Sequence, residues 1–415
     1  MTTQTDLRPG AASEPGAAAD PGASAHDGNR GPQPVRLRAP GRAGERPEAG
    51  PFGSVASAAA AAAVAVRGDA GRALSLARQL GPVAPSMAGG HTRALFETLA
   101  SLAAVDLTAA RVAEAHLDAL AILRQAGSRP GELFPATDAT PVWGVFAAEA
   151  SGVRLNAVRE PDDPERGESW RLDGTKPWCS LAGSLTHALV TVHTSDTTRR
   201  LFAVDLRQPG VGARPGGWVA LGLPGVPSGP VDFAAVLAQP IGDDGWYLTR
   251  PGFAWGGIAV AACWFGGAVG AARQLHAAVR LSDDRGAPGQ APDQVALAHL
   301  GAIDVLLTAC AGALGQAAAA IDSGAATGQD GARLAARVRG LIARSTEEVL
   351  SRVGHALGPA PLAFDARHAQ RVADLQLYVR QHHAERDDAA LGRMLTASLA
   401  PGEPGAPEAD GSAPW

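Results

Sequence analysis

Cysteines, aromatic residues and excess positive charge are all scarce in this 415-residue chain, and each scarcity excludes a class of protein. Its three cysteines, Cys179, Cys263 and Cys310, are widely spaced within apolar runs and fit neither a disulfide framework nor a zinc site. A formal net charge of −5 supplies no basic field for phosphate backbones or anionic lipids. We therefore expect no nucleic-acid partner and a reducing, cytoplasmic location.

A leader and a long hydrophobic run are also missing near the N-terminus. The sequence there lacks the basic stretch followed by an apolar run that marks a signal peptide. The Ala-rich run from Ala58 to Val66 is too short to cross a bilayer. These features predict that the protein does not insert into a membrane.

Large apolar residues are nearly absent from both ends of the chain. Residues 1–53 and 401–415 are dense in proline, glycine, alanine and charge. Such segments cannot bury enough surface to offset their chain entropy. The sequence therefore predicts two disordered tails around a globular part.

Residues 54–140 carry a helical pattern. Apolar residues recur at intervals near three and four on one stripe, which comprises Leu107, Val112, Leu117, Leu120 and Leu123. This stretch predicts a small N-terminal helical domain.

Between residues 141 and 248 the pattern changes to short extended segments. The stretch ALVTVHTSDTTRRLFAVDL predicts two strands around a polar turn, and VDFAAVLA predicts one more strand. The Asp173-Gly174 pair predicts a turn between two extended arms. Together they predict a middle domain built on an antiparallel sheet or a small barrel.

Residues 249–400 return to a helical period and predict a four-helix bundle, so the whole chain is mostly α with one β-domain. The connections SDDRGAPGQAP, GAATGQDG and GPAPLAF are short and rich in helix breakers, which makes successive helices antiparallel neighbours. The predicted helices run from Phe253 to Leu281, Asp293 to Ser323, Ala332 to Leu357, and Asp365 to Leu399.

The segment WRLDGTKPWCSLAG, within this order of helices, sheet and bundle, resembles the acyl-CoA dehydrogenase family. The resemblance covers roughly Ser54 to Leu399 and implies FAD held between the β-domain and the bundle of a dimer partner. It places Trp178 against the flavin rings and Ser180 near the reactive flavin nitrogen. An indole supplies a large π surface, and a hydroxyl supplies a donor that tunes hydride acceptance. The structural alternatives are that Trp178 is a core aromatic and that Ser180 is a turn residue.

A second match is VWGVFAAEASG, which falls where the family has an aromatic strand, a Thr-Glu-Pro turn and then Gly-Ser-Asp. Here the turn is Ala148, Glu149 and Ala150, and the Gly-Ser-Asp is missing. The resemblance still assigns the backbone around Phe146 and Ala148 to the flavin pyrimidine, because backbone groups remain whatever the side chain. The lost hydroxyls argue against ordinary binding of acyl-CoA.

The first bundle helix resembles the family helix whose Gly- and Ala-rich middle lies under the cofactor. That match assigns Arg280, or second to it Arg285, to the pyrophosphate of a neighbouring subunit, and so implies a homodimer or homotetramer. A guanidinium gives bidentate, persistently charged contacts to phosphate. An Arg at a helix C-terminus also favours the helix dipole without any ligand.

The catalytic carboxylate of the family is missing from its usual positions. Counting forward from Arg371, the family glutamate falls on His383, and Glu385 takes the place of the following threonine. The alternative carboxylate of some relatives would fall near Gly256 or Gly257. His383 and Glu385 are therefore the candidate catalytic residues, since imidazole suits acid–base work near neutral pH.

The alternative for this histidine pair is a solvated, charged helix face. On a helix, His382 and His383 would point about 100° apart, so at most one faces a given site.

Three hypotheses for function follow from these residues. The first is an FAD-dependent oxidoreductase that acts on CH–CH groups of a small acyl substrate, either a CoA thioester or a related compound, and passes electrons to an acceptor. The second is a flavin-dependent monooxygenase on the same fold, which uses oxygen and the imidazole of His383. The third is a non-catalytic flavin-binding scaffold.

Overall fold

The computed structural model describes residues 31–37, 51–134, 140–161, 168–214, 216–285 and 293–397. From Pro32 onward these residues belong to one compact unit. The predicted C-terminal tail and most of the predicted N-terminal tail lie outside the described residues. The domain boundaries drawn from the sequence stay a prediction.

The N-terminal region is helical, as the apolar stripe predicts. Asp69 and Asp106 cap α2 and α4, where their carboxylates accept hydrogen bonds from the backbone N–H groups of Arg72 and Ala109. Of the predicted stripe on α4, only Leu120 is not fully buried. The helices are α1 (Val55–Ala63), α2 (Ala70–Leu80), α3 (Thr92–Val105), α4 (Leu107–Gln125) and α5 (Pro130–Leu133).

The middle region is a seven-stranded sheet in the order β1-β4-β2-β3-β7-β5, with β6 beside β7. A further β4–β5 pairing, antiparallel as predicted, closes five of the strands into a ring. β1 and β2 run parallel to β4, so of the two predicted forms, an antiparallel sheet or a small barrel, the antiparallel sheet is wrong. Alternation within one strand does not specify the direction of its partner. The strands are β1 (Trp143–Phe146), β2 (Leu155–Arg159), β3 (Trp170–Ser180), β4 (His187–His193), β5 (Arg199–Asp205), β6 (Val211–Ala213) and β7 (Ser228–Ile241).

The predicted turn at Asp173-Gly174 is also wrong, because both residues lie within the continuous strand β3. Gly174 has a φ of +121°, and a Cβ there would overlap the carbonyl oxygen of Arg154. The pairing register with β7 shifts between Leu172 and Gly174, which marks a β-bulge. The Asp-Gly pair therefore bends a strand where two backbones approach closely.

The C-terminal region contains the first three predicted long helices, but the fourth is interrupted between Gln381 and Glu385. Ala384 adopts a left-handed φ of +47°, which ends the helical path without any glycine or proline. The elements are α6 (Trp246–Thr249), α7 (Pro251–Arg285), α8 (Gln294–Asp322), α9 (Gly328–Leu357), α10 (Ala360–Phe364), α11 (Ala366–Tyr378), a 3₁₀ helix (Val379–Gln381) and α12 (Glu385–Ala397).

The glycines in the middle of α7 allow α3 to approach closely. A Cβ at Gly266 would overlap the carbonyl oxygen of Ala100, and one at Gly270 would meet that of Ala104. The expectation that this Gly-rich stretch lies under a cofactor therefore fails at these two positions, because the backbone of α3 occupies the space.

Part of the predicted N-terminal tail is ordered. Val35 and Leu37 are each only 3% exposed. Their backbone N–H groups donate to Ser101 Oγ and Glu97 Oε1, and Arg36 forms an ion pair with Glu97 at 2.9 Å. The prediction of disorder is wrong for residues 32–37, because two apolar residues in a polar stretch suffice to anchor it on α3.

Two helices, α7 and α8, are long and apolar enough to cross a membrane by length and composition alone. In α7, 72% of the apolar window is buried, as in the core helix of a globular protein, whereas in α8 only 22% is buried. Val295 and Val305 of α8 are 62% and 68% exposed. The absence of membrane insertion stays a prediction. Among the described residues, none covers the apolar face of α8 at Val295 and Val305.

Candidate functional site

Trp178 stands out of the sheet at a second bulge near the end of β3. The register with β7 shifts between Lys176 and Cys179, and Trp178 has a left-handed φ of +57°. Its side chain is 60% exposed, and among the described residues no ring or cation packs on the indole. The bulge therefore presents a flat aromatic face to solvent.

The hydroxyl of Ser180 is fixed where β3, β7 and α4 meet. Its oxygen lies 2.8 Å from the oxygen of Ser228 and accepts a hydrogen bond of 3.2 Å from Arg111 Nη2. Ser228 in turn donates to the carbonyl of Val226. The hydroxyl predicted to face a flavin is thus held in place by two side chains.

Phe146 ends β1 and lines a cavity with Ser180, and Ala148 follows two residues later. Phe146 is buried, whereas Ala148 is exposed. Lys176 donates to Glu149 Oε1 at 2.6 Å and to Thr191, which ties the segment after β1 to β3. A cavity of about 10 Å³ is lined by residues of α4, β1 and the end of β3, which include Arg111, Phe146 and Ser180.

A larger cavity of about 400 Å³ lies on the bundle, between α9, α10 and α11. It shares no lining residue with the cavity beside Ser180. Cavity volume alone therefore does not identify the candidate site. The site is defined by the side chains around Ser180.

A buried charged cluster on α4 adjoins this edge, and sequence analysis missed it. Arg111 Nη1 lies 3.0 Å from Glu114 Oε2, and the guanidinium lies over the ring of Tyr378 at 5.9 Å from its centroid. The Tyr378 hydroxyl donates to the same Glu114 oxygen over 3.5 Å. An unbroken series of contacts therefore runs from Ser180 through Arg111 and Glu114 to the end of α11.

Asp118 and Arg339 fill the space at the two glycines where the family position for a carboxylate is empty. A Cβ at Gly256 would lie 3.2 Å from Asp118 Oδ1, and a Cβ at Gly257 would lie 3.1 Å from Arg339 Cδ. Arg339 also donates to the carbonyls of Gly257 and Gln381, both at 2.9 Å. Two side chains from other helices thus occupy this part of the site.

Burial shifts the protonation of this cluster. Desolvation raises the pKa of Glu114 to about 7, although Arg111 opposes the shift. Burial also raises the pKa of Asp118. For Arg111, burial acts to lower the pKa, but Glu114 and Tyr378 outweigh it and raise that pKa, so the guanidinium stays charged. Glu114 therefore exchanges its proton near neutral pH beside a permanent cation.

The structure separates the two candidate histidines. Both lie in the loop before α12, so the expectation of a shared helix is wrong. His382 is 7% exposed, and burial lowers its pKa. The side chain of His383 is 64% exposed and its Nδ1 lies 3.4 Å from Asp387. Glu385 begins α12 and is exposed. The catalytic roles of His383 and Glu385 stay predictions, and His382 is the imidazole that the fold buries.

Arg280 lies far along α7 from the glycines near the start of that helix. It is exposed on α7, 23 residues beyond Gly257, which corresponds to roughly 34 Å along the helix. The side chain of Arg285, the second choice, lies outside the described residues. Of the predicted cofactor-binding residues, Phe146 and Ser180 line one cavity, and the roles of Ala148, Trp178 and Arg280 stay predictions.

The sequence contained one signal for the missed cluster. Arg111, Glu114 and Asp118 are spaced three and four apart, so they share a face of α4. Such a spacing is usual for a solvated ion pair, and only the packing of α7, α9 and α11 on this face buries it. Within the described residues, no group of three or more histidine, cysteine, aspartate or glutamate side chains is arranged to hold a metal.

The described residues include the kinds of chemical group that bind a flavin. An open indole face, two linked hydroxyls, a cation and the exposed backbone at Ala148 match an aromatic ring with polar edges. The cavity of about 10 Å³ beside Ser180 is too small to hold such a ring.

Comparison with solved structures supports the fold. Dibenzothiophene monooxygenase from Paenibacillus sp. A11-2 is 17% identical, with a TM-score of 0.66 over 83% of this chain and 96% of that one. Butyryl-CoA dehydrogenase from Megasphaera elsdenii is 17% identical, with a TM-score of 0.64 over 78% and 90%. Nitrososynthase from Micromonospora carbonacea var. africana is 16% identical, with a TM-score of 0.66 over 87% and 98%.

No protein-family model and no curated protein sequence matches the chain. Identities of this size establish the arrangement of the backbone and leave the chemistry to the site. The chain therefore has the fold of the acyl-CoA dehydrogenase-like flavoproteins, as its sequence predicts.

Proposed function

We propose that the chain is a flavin-dependent oxidoreductase that holds FAD at the edge formed by Trp178 and Ser180. Its reaction would be the oxidation of a CH–CH group in an acyl thioester or a related substrate. The supporting observation is the exposed indole of Trp178, two residues from a fixed hydroxyl. The Paenibacillus enzyme has been solved with FMN, and the Megasphaera enzyme is named for an acyl-CoA substrate.

Each residue at the edge has a definite task under this proposal. The flavin, when bound, supplies the two-electron acceptor. Trp178 covers one face of its rings. The Ser180 hydroxyl proton, which in the free protein points to Ser228, turns to donate a hydrogen bond to their edge. The backbone at Phe146 and Ala148 binds the polar pyrimidine end. Arg280 binds the pyrophosphate of FAD in a second copy, as the resemblance of the first bundle helix implies.

The decisive experiment is flavin binding by the purified full chain. We expect a yellow protein, and we expect chromatography of the released cofactor to give FAD rather than FMN. Trp178→Ala should weaken flavin binding about tenfold or more, because stacking on an aromatic side chain is worth about 1–3 kcal/mol per ring. Trp246→Phe, at a partly buried indole on α6, is the matched control and should bind as the wild type does.

A protein that stays colourless when offered FAD and FMN would end this proposal. If the flavin binds, anaerobic addition of butyryl-CoA tests the reaction. Bleaching of the flavin supports oxidation of an acyl thioester. A flavin that stays oxidised with acyl thioesters of several chain lengths argues against it.

A flavin-dependent monooxygenase is the second candidate, and it is favoured by the histidines that replace a carboxylate in the loop before α12. The buried His382 accepts a hydrogen bond from the Ala384 N–H at 3.2 Å, and its Nε2 lies 3.8 Å from Asp387. An imidazole in such a position is suited to donate a hydrogen bond to bound oxygen.

Oxygen uptake with externally reduced flavin tests this second candidate. We expect His382→Ala to release more of the oxygen as peroxide than wild type does. Under the sequence-based prediction for His383, His383→Ala should keep its flavin and lose turnover. Complete conversion of oxygen to peroxide by the wild type, with every substrate tried, would exclude oxygenation.

A further inference from the structure

The feature that the proposed function leaves unused is the guanidinium of Arg111. It lines the small cavity beside Ser180, whereas Glu114 lies behind it and does not line that cavity. The Arg111 side chain is only 15% exposed, and the Glu114 side chain 7%. Within this cluster, the Arg111 guanidinium is therefore the charged group that would contact a ligand bound beside Ser180.

Three groups hold this guanidinium in place. Glu114 accepts from Nη1, the ring of Tyr378 lies beneath the planar face, and Ser180 accepts from Nη2 over 3.2 Å. The bond to Ser180 is the longest of the polar contacts, and the Ser180 hydroxyl keeps Ser228 as a partner without it. A ligand oxygen can therefore replace Ser180 at Nη2 without leaving a buried polar group unpaired.

The charges that face this pair favour an anionic oxygen. Arg111 is countered by Glu114, whose own surroundings contain Asp118 on α4, Tyr378 on α11 and Arg339 on α9. Cys263 on α7 also faces the guanidinium and stays a neutral thiol, because burial raises its pKa. While Glu114 carries a proton, the positive charge of Arg111 is uncompensated at the edge.

We propose that Arg111 binds the carbonyl oxygen of the acyl substrate and stabilises the negative charge that this oxygen gains when the substrate's α-proton passes to the predicted base, His383, with Glu114 as the positioning residue of Arg111. This inference rests on the proposed acyl substrate and adds the group that recognises it. Charge that develops on an oxygen in a water-poor site is stabilised best by a preorganised cation of this kind. Glu114 acts through Arg111, because it fixes the guanidinium and sets how much of the positive charge is left uncompensated.

The test uses acetoacetyl-CoA, a thioester that enolises readily and whose enolate absorbs in the near ultraviolet. The full chain is titrated with it, both flavin-free and loaded with FAD, at pH 6 and pH 8. Wild type should raise the enolate band on binding. Arg111→Gln should weaken the binding roughly tenfold to a hundredfold, which is the range for a hydrogen bond to a charged group. Arg111→Lys should restore part of it.

Glu114→Gln separates positioning from mere structural support. The amide oxygen still accepts from Arg111, but its negative charge is gone. We therefore expect the enolate to bind several-fold more tightly at pH 8, whereas a purely structural role predicts weaker binding. Glu97→Gln is the matched control, since it removes the charge of another buried Arg-paired glutamate on α3, and it should bind as wild type does.

The two proposals fail in different ways in this experiment. An enolate band that is the same in wild type and Arg111→Gln, or absent from FAD-loaded wild type, overturns the role of Arg111 even if the flavin binds. An enolate band that depends on Arg111 in a chain that never retains a flavin supports the role of Arg111 and counts against the flavin. A melting temperature within a few degrees of wild type confirms that each variant is folded.

Discussion

Replacement of Glu114 by glutamine should change how the stability of the protein depends on pH. In the folded chain, burial raises the pKa of this carboxyl from 4.5 to about 7. The folded state therefore holds the proton over a range in which the unfolded chain has already released it. The stabilisation of the folded state by this bound proton is fully present below pH 4.5 and is lost as pH rises to about 7. The difference of about 2.5 pH units corresponds to about 3 kcal/mol.

Glutamine resembles the protonated carboxyl at every pH, so the variant lacks this loss. We expect the free energy of unfolding of Glu114→Gln minus that of wild type to be about 3 kcal/mol larger at pH 8 than at pH 4.5, which means that the variant gains stability relative to wild type as pH rises. Urea unfolding followed by circular dichroism at several pH values measures both, and subtraction removes titrations that the two proteins share.

Glu97→Gln serves as the control, because it removes a buried ion pair to Arg36 and keeps Glu114. It should retain the loss of stability that Glu114 causes between pH 4.5 and 7. A difference between Glu114→Gln and wild type that stays within about 0.5 kcal/mol from pH 4.5 to pH 8 would refute the buried, neutral carboxyl. The cluster beside Ser180 would then be an ordinary hydrated ion pair.

Three further predictions follow from the packing. Gly266→Ala should destabilise the protein by about 1–3 kcal/mol in urea unfolding, because its Cβ would overlap the backbone of α3, whereas Gly312→Ala, with open space around it on α8, should stabilise it by roughly 0.5–1 kcal/mol. If both variants changed the free energy of unfolding in the same direction, the close approach of α3 and α7 would be contradicted. Val305→Arg on the open face of α8 should shift gel filtration to a smaller species if a second copy covers that face. Arg280→Ala should reduce flavin retention in the assembled protein, and unchanged retention would remove its role.

The sequence predicted those parts of the fold that depend on local pattern. The stripe on α4 and the β4–β5 pair follow from periods of 3.6 and 2, which are set by backbone geometry alone. The bulge at Gly174 and the break at Ala384 do not, because each depends on what lies opposite in space. An Asp-Gly pair is a turn signal only where no neighbouring strand has closed in on the glycine.

The candidate site was predicted on the sheet side and missed on the helix side. Trp178 and Ser180 belong to a contiguous segment, so a resemblance carries them together. Arg111 and Glu114 are three residues apart on an amphipathic helix, a spacing that is common on wet surfaces. Whether such a pair meets water or another helix is decided by tertiary packing, which no single stretch of sequence contains.

The ordered stretch at residues 32–37 bears on how the chain can be shortened. Judged by its composition alone, this stretch would be deleted together with the rest of the N-terminal region. A version that starts at residue 51 would strip Val35 and Leu37 from the surface of α3 and leave the carboxylate of Glu97 without its cation. Each apolar side chain is worth about 1.5–3 kcal/mol when buried. Trimming should therefore stop before Pro32, or the remaining protein will expose an apolar strip and a lone buried charge.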